Sequence, residues 1–284
     1  MVLVLSGLNP VDNGDNLSAV RALILCTACG YRASSDCLCP LEEYASLERD
    51  RDDMPTADFG IGAYTPVEAA KLLHMQPTTL RRWLYGYEYD HGEGEVHQPP
   101  LWTPQYDPDD DGPLLGFRDL IEARIVGALR RSRIGLPTIR LCIDRAKEIL
   151  GDDHPFSTKA FKSDGRKIFL EITDGVEEPR LIDLKERQHV FRAFVLPSLS
   201  GLEFGGEGAA RWWLVPNRRT LVADPERSFG QPIVAETGLL TSRVVQEVRA
   251  EGSPERVAKL YQLPLRAVRD AIAFEQGLLL PKAA

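Results

Sequence analysis

The chain of 284 residues contains no run of about 18 apolar residues, so no segment reads as a membrane-spanning helix. It also lacks the short signatures of common catalytic sites. There is no G-x-S-x-G elbow, no phosphate-binding loop and no H-E-x-x-H pair, and the five histidines stand singly. An enzyme is therefore not expected, and no cofactor is implied. A positive balance is missing too: the formal net charge of −8 argues against a protein that coats nucleic acid without selectivity. The N-terminus, M-V-L-V-L-S-G-L-N-P, has no basic leader, and bulky Leu25 before Cys26 suits signal cleavage poorly, so a cytoplasmic location is expected. Four of the five cysteines cluster as Cys26-x-x-Cys29 and Cys37-x-Cys39. The gap between the pairs is much shorter than in a zinc ribbon, and no metal site is assigned.

What the chain does have is unevenly placed. Residues 1–61 carry 4 basic and 10 acidic side chains, while the rest holds 30 basic and 32 acidic, so most of the excess acidity is N-terminal. Residues 1–61 show no sustained apolar period and read as an acidic segment outside any folded domain, or as one preceding a later translation start at Met54.

The stretch Thr65 to Tyr89 reads as two short helices joined by a tight turn. Thr65 and Glu68 have the spacing of a capping box, and Pro66 suits the first helical position. Ala69, Leu72 and Leu73 give the spacing of a buried face, His74-Met75-Gln76 makes the turn, and Pro77 starts a second helix. Leu80 and Trp83 face the first helix. Thr78, Thr79, Arg81, Arg82 and Tyr85 point outward, with side chains suited to phosphate and base edges in a major groove. Gln76 is a weak N-cap, which leaves that boundary the least determined.

Residues 90–113, rich in glycine, proline and aspartate, read as a loop, with the acidic run at Asp107 to Gly112 a solvated linker. Leu114 to Phe117 forms a short strand before a helix of residues 118–133, and a second helix after Gly135-Leu136-Pro137 runs to Leu150 and stops at Gly151. Ile139, Cys142, Ile143, Ala146 and Ile149 share one stripe of that helix, which makes Cys142 a buried core thiol. Eight basic and four acidic residues lie between Phe117 and Ile149. The order of helix, turn, T-L-R-R-W reader, wing and two further helices resembles MerR-like winged helix-turn-helix regulators over residues 62–150. That resemblance implies a phosphate contact for Arg118 at the wing. Phe117 stands where a tyrosine is common in that family.

Residues 151–220 read as a β-rich connecting region: Lys167 to Ile172 alternates after an Asp164-Gly165 turn, Val190 to Leu196 is helical, and Arg211-Trp212-Trp213-Leu214 is a strand with the tryptophans as core or interface anchors. Residues 221–284 form a C-terminal helical domain with its own helix-turn-helix outline, Ser253-Pro254-Glu255 opening one helix to Tyr261 and Pro264 another to Phe274. Gly252-Ser253-Pro254-Glu255-Arg256-Val257-Ala258 resembles the second half of a small domain of unknown function common in antitoxins, whereas Glu236-Thr237-Gly238-Leu239 departs from its first half. The fold class expected is α+β, mostly helical.

The two motifs in this order resemble VapB-type antitoxins of PIN-domain ribonuclease toxins, over residues 62–276. The resemblance implies a protein that sequesters its toxin and represses its own operon, with operator DNA and a PIN-domain toxin as partners and a homodimer matching a palindromic operator. An acidic nuclease site invites arginines, and Arg211, Arg218 and Arg219 are the candidates for toxin contact. The alternative is a stand-alone MerR-like regulator responding to a ligand, metal or redox signal, with the cysteine cluster as sensor.

Overall fold

The computed structural model describes residues 60–279, apart from 91, 93, 108–112 and 207. The cysteine cluster, Met54 and most of the acidic run at 107–112 lie outside the described residues.

Helix α1 (Pro66–Leu73) starts where the capping box places it. Thr65 Oγ1 accepts the Glu68 N–H at 3.3 Å, and Glu68 Oε2 accepts the Thr65 N–H at 2.9 Å. His74 ends α1 in the left-handed region, φ 52°, which turns the chain sharply into α2 (Pro77–Tyr85). Gln76 makes no side-chain cap bond. Instead, α2 is held by its packed face of Leu80, Trp83 and Leu84, all buried.

A two-stranded antiparallel hairpin follows at once, β1 (Tyr87–Asp90) with β2 (Glu95–Gln98), in the register Tyr87↔Gln98 to Asp90↔Glu95. This corrects the loop expected from residue 90 onward. Gly86 at its base has φ 72°, and a Cβ there would collide with the Gln98 carbonyl oxygen, so only glycine suits the turn from helix to hairpin.

Helix α3 (Phe117–Arg131) is the axis of the main core, with Leu120, Ile121, Ile125 and Val126 fully buried. The expected strand before it is a single bridge between Leu115 and Tyr64. Helix α4 (Leu136–Leu150) ends at Gly151 in a left-handed cap, as read from the sequence, and Ile139, Cys142, Ile143 and Ala146 are buried. Burial pushes the Cys142 thiol up to about 12. Ile149 departs from the expected stripe and is largely exposed.

The region after α4 is more helical than its sequence suggested. Helix α5 (Lys159–Ile172) replaces the strand expected at Lys167 to Ile172, with a local kink at Asp164. Phe161, Ile168, Phe169 and Ile172 recur at helical spacing and are buried, and Thr158 caps the helix by accepting the Phe161 N–H at 3.1 Å. Helix α6 (Leu184–Val190) continues through a π-helical segment (Phe191–Val195) into a last turn (Leu196–Ser198), in line with the helix expected there.

The strands β3 (Leu202–Phe204), β4 (Ala209–Trp213), β5 (Leu221–Ala223) and β6 (Ile233–Val234) form one antiparallel sheet in chain order. The chain closes with α7 (Thr241–Glu251), α8 (Pro254–Leu260) and α9 (Leu265–Leu279). They pack on a second apolar cluster that includes Leu221, Val234, Val244, Val257 and Val268. Helix α7 was not anticipated, and α9 runs past Phe274. Mostly helical, with two small antiparallel sheets, the fold is of the α+β class expected.

Candidate nucleic-acid interface

The second helix of the first helix-turn-helix presents one free face. On α2, Thr78, Arg81 and Arg82 are exposed and Thr79 is half-buried, while Leu80 and Trp83 turn inward. Among the described residues, neither Arg81 nor Arg82 has an ion-pair partner. Arg82 instead lies 5.1 Å from the centroid of the Tyr87 ring. That contact ties α2 to the hairpin. Tyr87 and Tyr89, two apart on β1, bring their ring centroids within 5.9 Å of each other.

A cleft of about 520 Å³ opens between the hairpin and the start of α4, lined by Arg82, Tyr87, Tyr89, Gln98 and Arg140 among others. Arg140 fixes the strand leaving the hairpin by donating to the carbonyls of Pro100 at 2.6 Å and Pro99 at 2.9 Å. The hairpin thus stands beside α2 as a wing. Its signal in the sequence was the alternation Tyr87-Glu88-Tyr89-Asp90 and Glu95-Val96-His97-Gln98 around two glycines, which the density of turn residues masked.

Two of the expected contact residues are placed otherwise. Tyr85 packs partly into the core and donates its hydroxyl to the Leu114 carbonyl at 2.9 Å, and burial pushes its phenol up to about 12. Arg118, expected at the wing, sits in the first turn of α3 and reaches the segment after α4. It donates to Asp152 at 2.6 Å, the Ser157 hydroxyl at 2.8 Å and the His154 carbonyl at 3.0 Å. With Nε and Nη2 engaged and its side chain 22% exposed, it acts as a strut that braces the start of α3 against the segment after α4.

The strut belongs to a buried polar network. Asp119, fully buried, accepts from the Trp102 indole at 2.8 Å and from the N–H groups of Gly116 at 2.9 Å and Gln105 at 3.0 Å, and pairs with His154 at 2.9 Å. Next to it, Glu122 accepts the Ser157 N–H at 2.8 Å, and desolvation pushes its carboxyl up to about 8. Asp119 thereby fixes Trp102 and Gln105 of the segment that links the hairpin to α3.

The three arginines considered for toxin contact lie on or beside the four-stranded sheet, and each has a carboxylate partner. Arg211 is shared between Glu203 at 3.8 Å and Asp224 at 3.6 Å. Arg218 holds Asp270 at 2.6 Å while remaining 62% exposed, and Arg219 holds Glu203 at 3.2 Å while 65% exposed. Trp212 and Trp213 are half-buried and carry the guanidinium groups of Arg124 and Arg219 over their rings, consistent with anchors.

Two segments of the chain match families of known proteins. Residues 62–143 match a family described as "Putative DNA-binding HTH domain", and residues 221–274 match a "Protein of unknown function (DUF433)". A curated protein, "Putative antitoxin VapB45" of Mycobacterium tuberculosis (strain ATCC 25618 / H37Rv), is 26% identical over 225 residues, covering 75% of this chain and 94% of its own. The chain resembles a VapB-type antitoxin. The crystal structure of Rv2018 from Mycobacterium tuberculosis shares the fold, with a TM-score of 0.57 at 22% identity over 74% of this chain and 96% of that one. The VapB-type resemblance drawn from the two motifs therefore stands, and with it a helix-turn-helix of DNA-binding type. Among the described residues, no helix is long and apolar enough to cross a membrane.

Proposed function

We propose that the protein is the antitoxin of a type II toxin–antitoxin pair, a cytoplasmic binding protein without catalytic role that neutralises a PIN-domain ribonuclease and represses its own operon. The observation that carries the DNA half is the unpaired cationic face of α2. In a chain of net charge −8, Arg81 and Arg82 stand free of carboxylates among the described residues, beside Thr78, on the helix that would enter the major groove. The hairpin acts as a MerR-like wing, with Tyr87 and Tyr89 against the backbone. Thr79 supports the same face. Neither Tyr85 nor Arg118 is part of it.

A homodimer would set two α2 helices in successive major grooves, about 34 Å apart. Replacing Arg81 and Arg82 together by Ala is expected to cost about 1–3 kcal/mol of operator affinity for each that makes a bidentate base contact. Anisotropy titration of labelled upstream DNA at fixed salt measures it, because phosphate contacts make affinity fall with ionic strength. Undiminished binding by the double variant would remove α2 as the reader.

Similarity to a protein named as an antitoxin supports the toxin half. Arg218 and Arg219 keep enough exposed surface to meet a second carboxylate on an acidic nuclease, whereas Arg211 is held between two of its own. Co-expression with the neighbouring gene's product, followed by pull-down through a tag on this chain, tests the partnership. A complex that silences the neighbour's RNA cleavage is the expected outcome; intact operator binding with no complex would leave a regulator and no antitoxin.

A further inference from the structure

A cavity of about 310 Å³ lies where α1 and its turn, α3, β4 and α9 come together. Its lining includes the apolar side chains of Leu72, Met75, Trp212, Leu214, Phe274 and Leu278. Two guanidinium groups also line it, Arg124 and Arg131, two turns apart on α3. Arg124 stacks on Trp212, 4.2 Å from the ring centroid, and donates Nη2 to the Ser200 carbonyl at 3.2 Å. Its Nη1 is buried with no hydrogen-bond partner. Among the described residues, no carboxylate lies within ion-pair distance of either arginine, whereas the inward-reaching Arg118 and Arg187 each hold an aspartate.

This is an unfavourable way to build a core. Burial and then the like charge of Arg131 pull the Arg124 guanidinium down to about 10, and burial lowers Arg131 as well. A largely buried guanidinium with no anion, and with a second, more exposed cation near it, is destabilising unless something supplies the opposite charge. Space for that group is kept open by two helical glycines whose backbones do not require glycine. A Cβ on Gly277 would meet nothing within 4 Å, and one on Gly127 only the Arg131 Nη1 at 3.5 Å. Glycine is among the poorest helix formers, so its presence at both positions keeps room rather than shape.

We infer that this cavity binds a small organic anion, its carboxylate or phosphate group on Arg124 and Arg131 and its apolar body against Trp212 and Phe274. The volume sits at the lower end of small-ligand sites, and an apolar wall with a few convergent donors is their usual chemistry. A planar oxyanion gives Nη1 of Arg124 the acceptor it lacks and separates the two like charges. Because Leu72 and Met75 belong to the helix pair that carries the reader, while Phe274 and Leu278 belong to α9, an occupant would bear on both. Resting on the antitoxin reading above, this makes the cavity a place where a metabolite anion modulates operator affinity.

The test uses the full chain and isothermal titration with benzoate, with benzamide as the neutral match and inorganic phosphate as a bare oxyanion. Benzoate is expected to bind, benzamide not to, and phosphate to bind more weakly. Arg124→Met should weaken benzoate by about tenfold or more, the scale of one lost charge-assisted bond. Gly277→Leu adds bulk to the cavity lining at a position where a Cβ meets neither guanidinium group within 4 Å, and should abolish the binding. Absence of any benzoate or phosphate binding overturns the inference. So does equal binding of benzamide, equal binding of phosphate, or benzoate binding unchanged in both variants. The readout needs neither operator nor toxin, so it fails or stands apart from the antitoxin reading.

Discussion

The chain carries two helix-turn-helix outlines that differ in what their outer charges meet. On α2, Arg81 and Arg82 stand free of carboxylates among the described residues. In the C-terminal bundle, Arg269 holds Glu255 at 3.0 Å, Arg243 holds Glu247 at 2.6 Å and Arg218 holds Asp270 at 2.6 Å. Both units keep cations toward solvent, but in the second Arg269 is paired, whereas among the described residues neither arginine of α2 has an ion pair. A paired arginine has less left for phosphate, which favours the first unit as the proposed reader.

The largest effect is expected where the reader is anchored. Leu80→Ala leaves a cavity under α2 and should destabilise the protein by about 2–5 kcal/mol in denaturant unfolding; a change near zero would mean that α2 is not held by the core. Next comes the buried carboxyl beside the wing. Glu122 is pushed from an ordinary carboxylate value to about 8 in the folded protein. Its protonated form is thus favoured by folding, and the stability linked to it is fully present below about pH 4.5 and lost as pH rises toward 8. Glu122→Gln should flatten the fall in Tm between pH 5 and 8.5, and parallel wild-type and variant profiles would contradict the assignment.

Smaller effects compare the two outlines directly. Arg256→Ala with Arg269→Ala in the C-terminal unit should leave operator affinity within about twofold, against the loss expected for the Arg81 and Arg82 pair. Equal losses would make the second unit a reader too. The helix caps give the smallest difference. Thr65→Ala removes a reciprocal box and should cost about 1 kcal/mol, and Ser253→Ala less, because its bond to the Arg256 N–H is long at 3.4 Å and unreciprocated. Paired chemical-denaturation curves distinguish them.

Where structure was set by neighbours in the chain, the sequence was legible. The capping box, the turn after Leu73, the glycine stop at Gly151 and the buried stripe of α4 all depend on residues within a turn or two. Long-range contacts were not legible. Lys167 to Ile172 alternates like a strand, but its helical partners Phe161 and Phe169 pack inward, and Gly165 faces Phe191 at 3.5 Å from where a Cβ would sit. Arg118 is decided by Asp152, far along the chain. Helix α7 begins at Thr241 after Leu240, which offers no side-chain cap, so nothing local announced it. Of the proposed contact residues, the exposure of Arg81, Arg82 and Thr78 was legible from helical spacing, while the tyrosines of β1 needed the hairpin register to be seen.

Tyr64 lies at the entry to α1, and its buried hydroxyl donates to the Gly230 carbonyl at 2.7 Å, while the Ala63 N–H reaches the Phe229 carbonyl at 2.9 Å. A Cβ on Gly230 would strike that hydroxyl. The stalk that leads into the reader is thus stitched to a loop more than a hundred and fifty residues downstream. Severing the chain before residue 221 would strand a buried phenol and open the seam behind Leu115. A fragment ending there is a different molecule from the reader it was cut from, and its DNA affinity would not measure that of the whole.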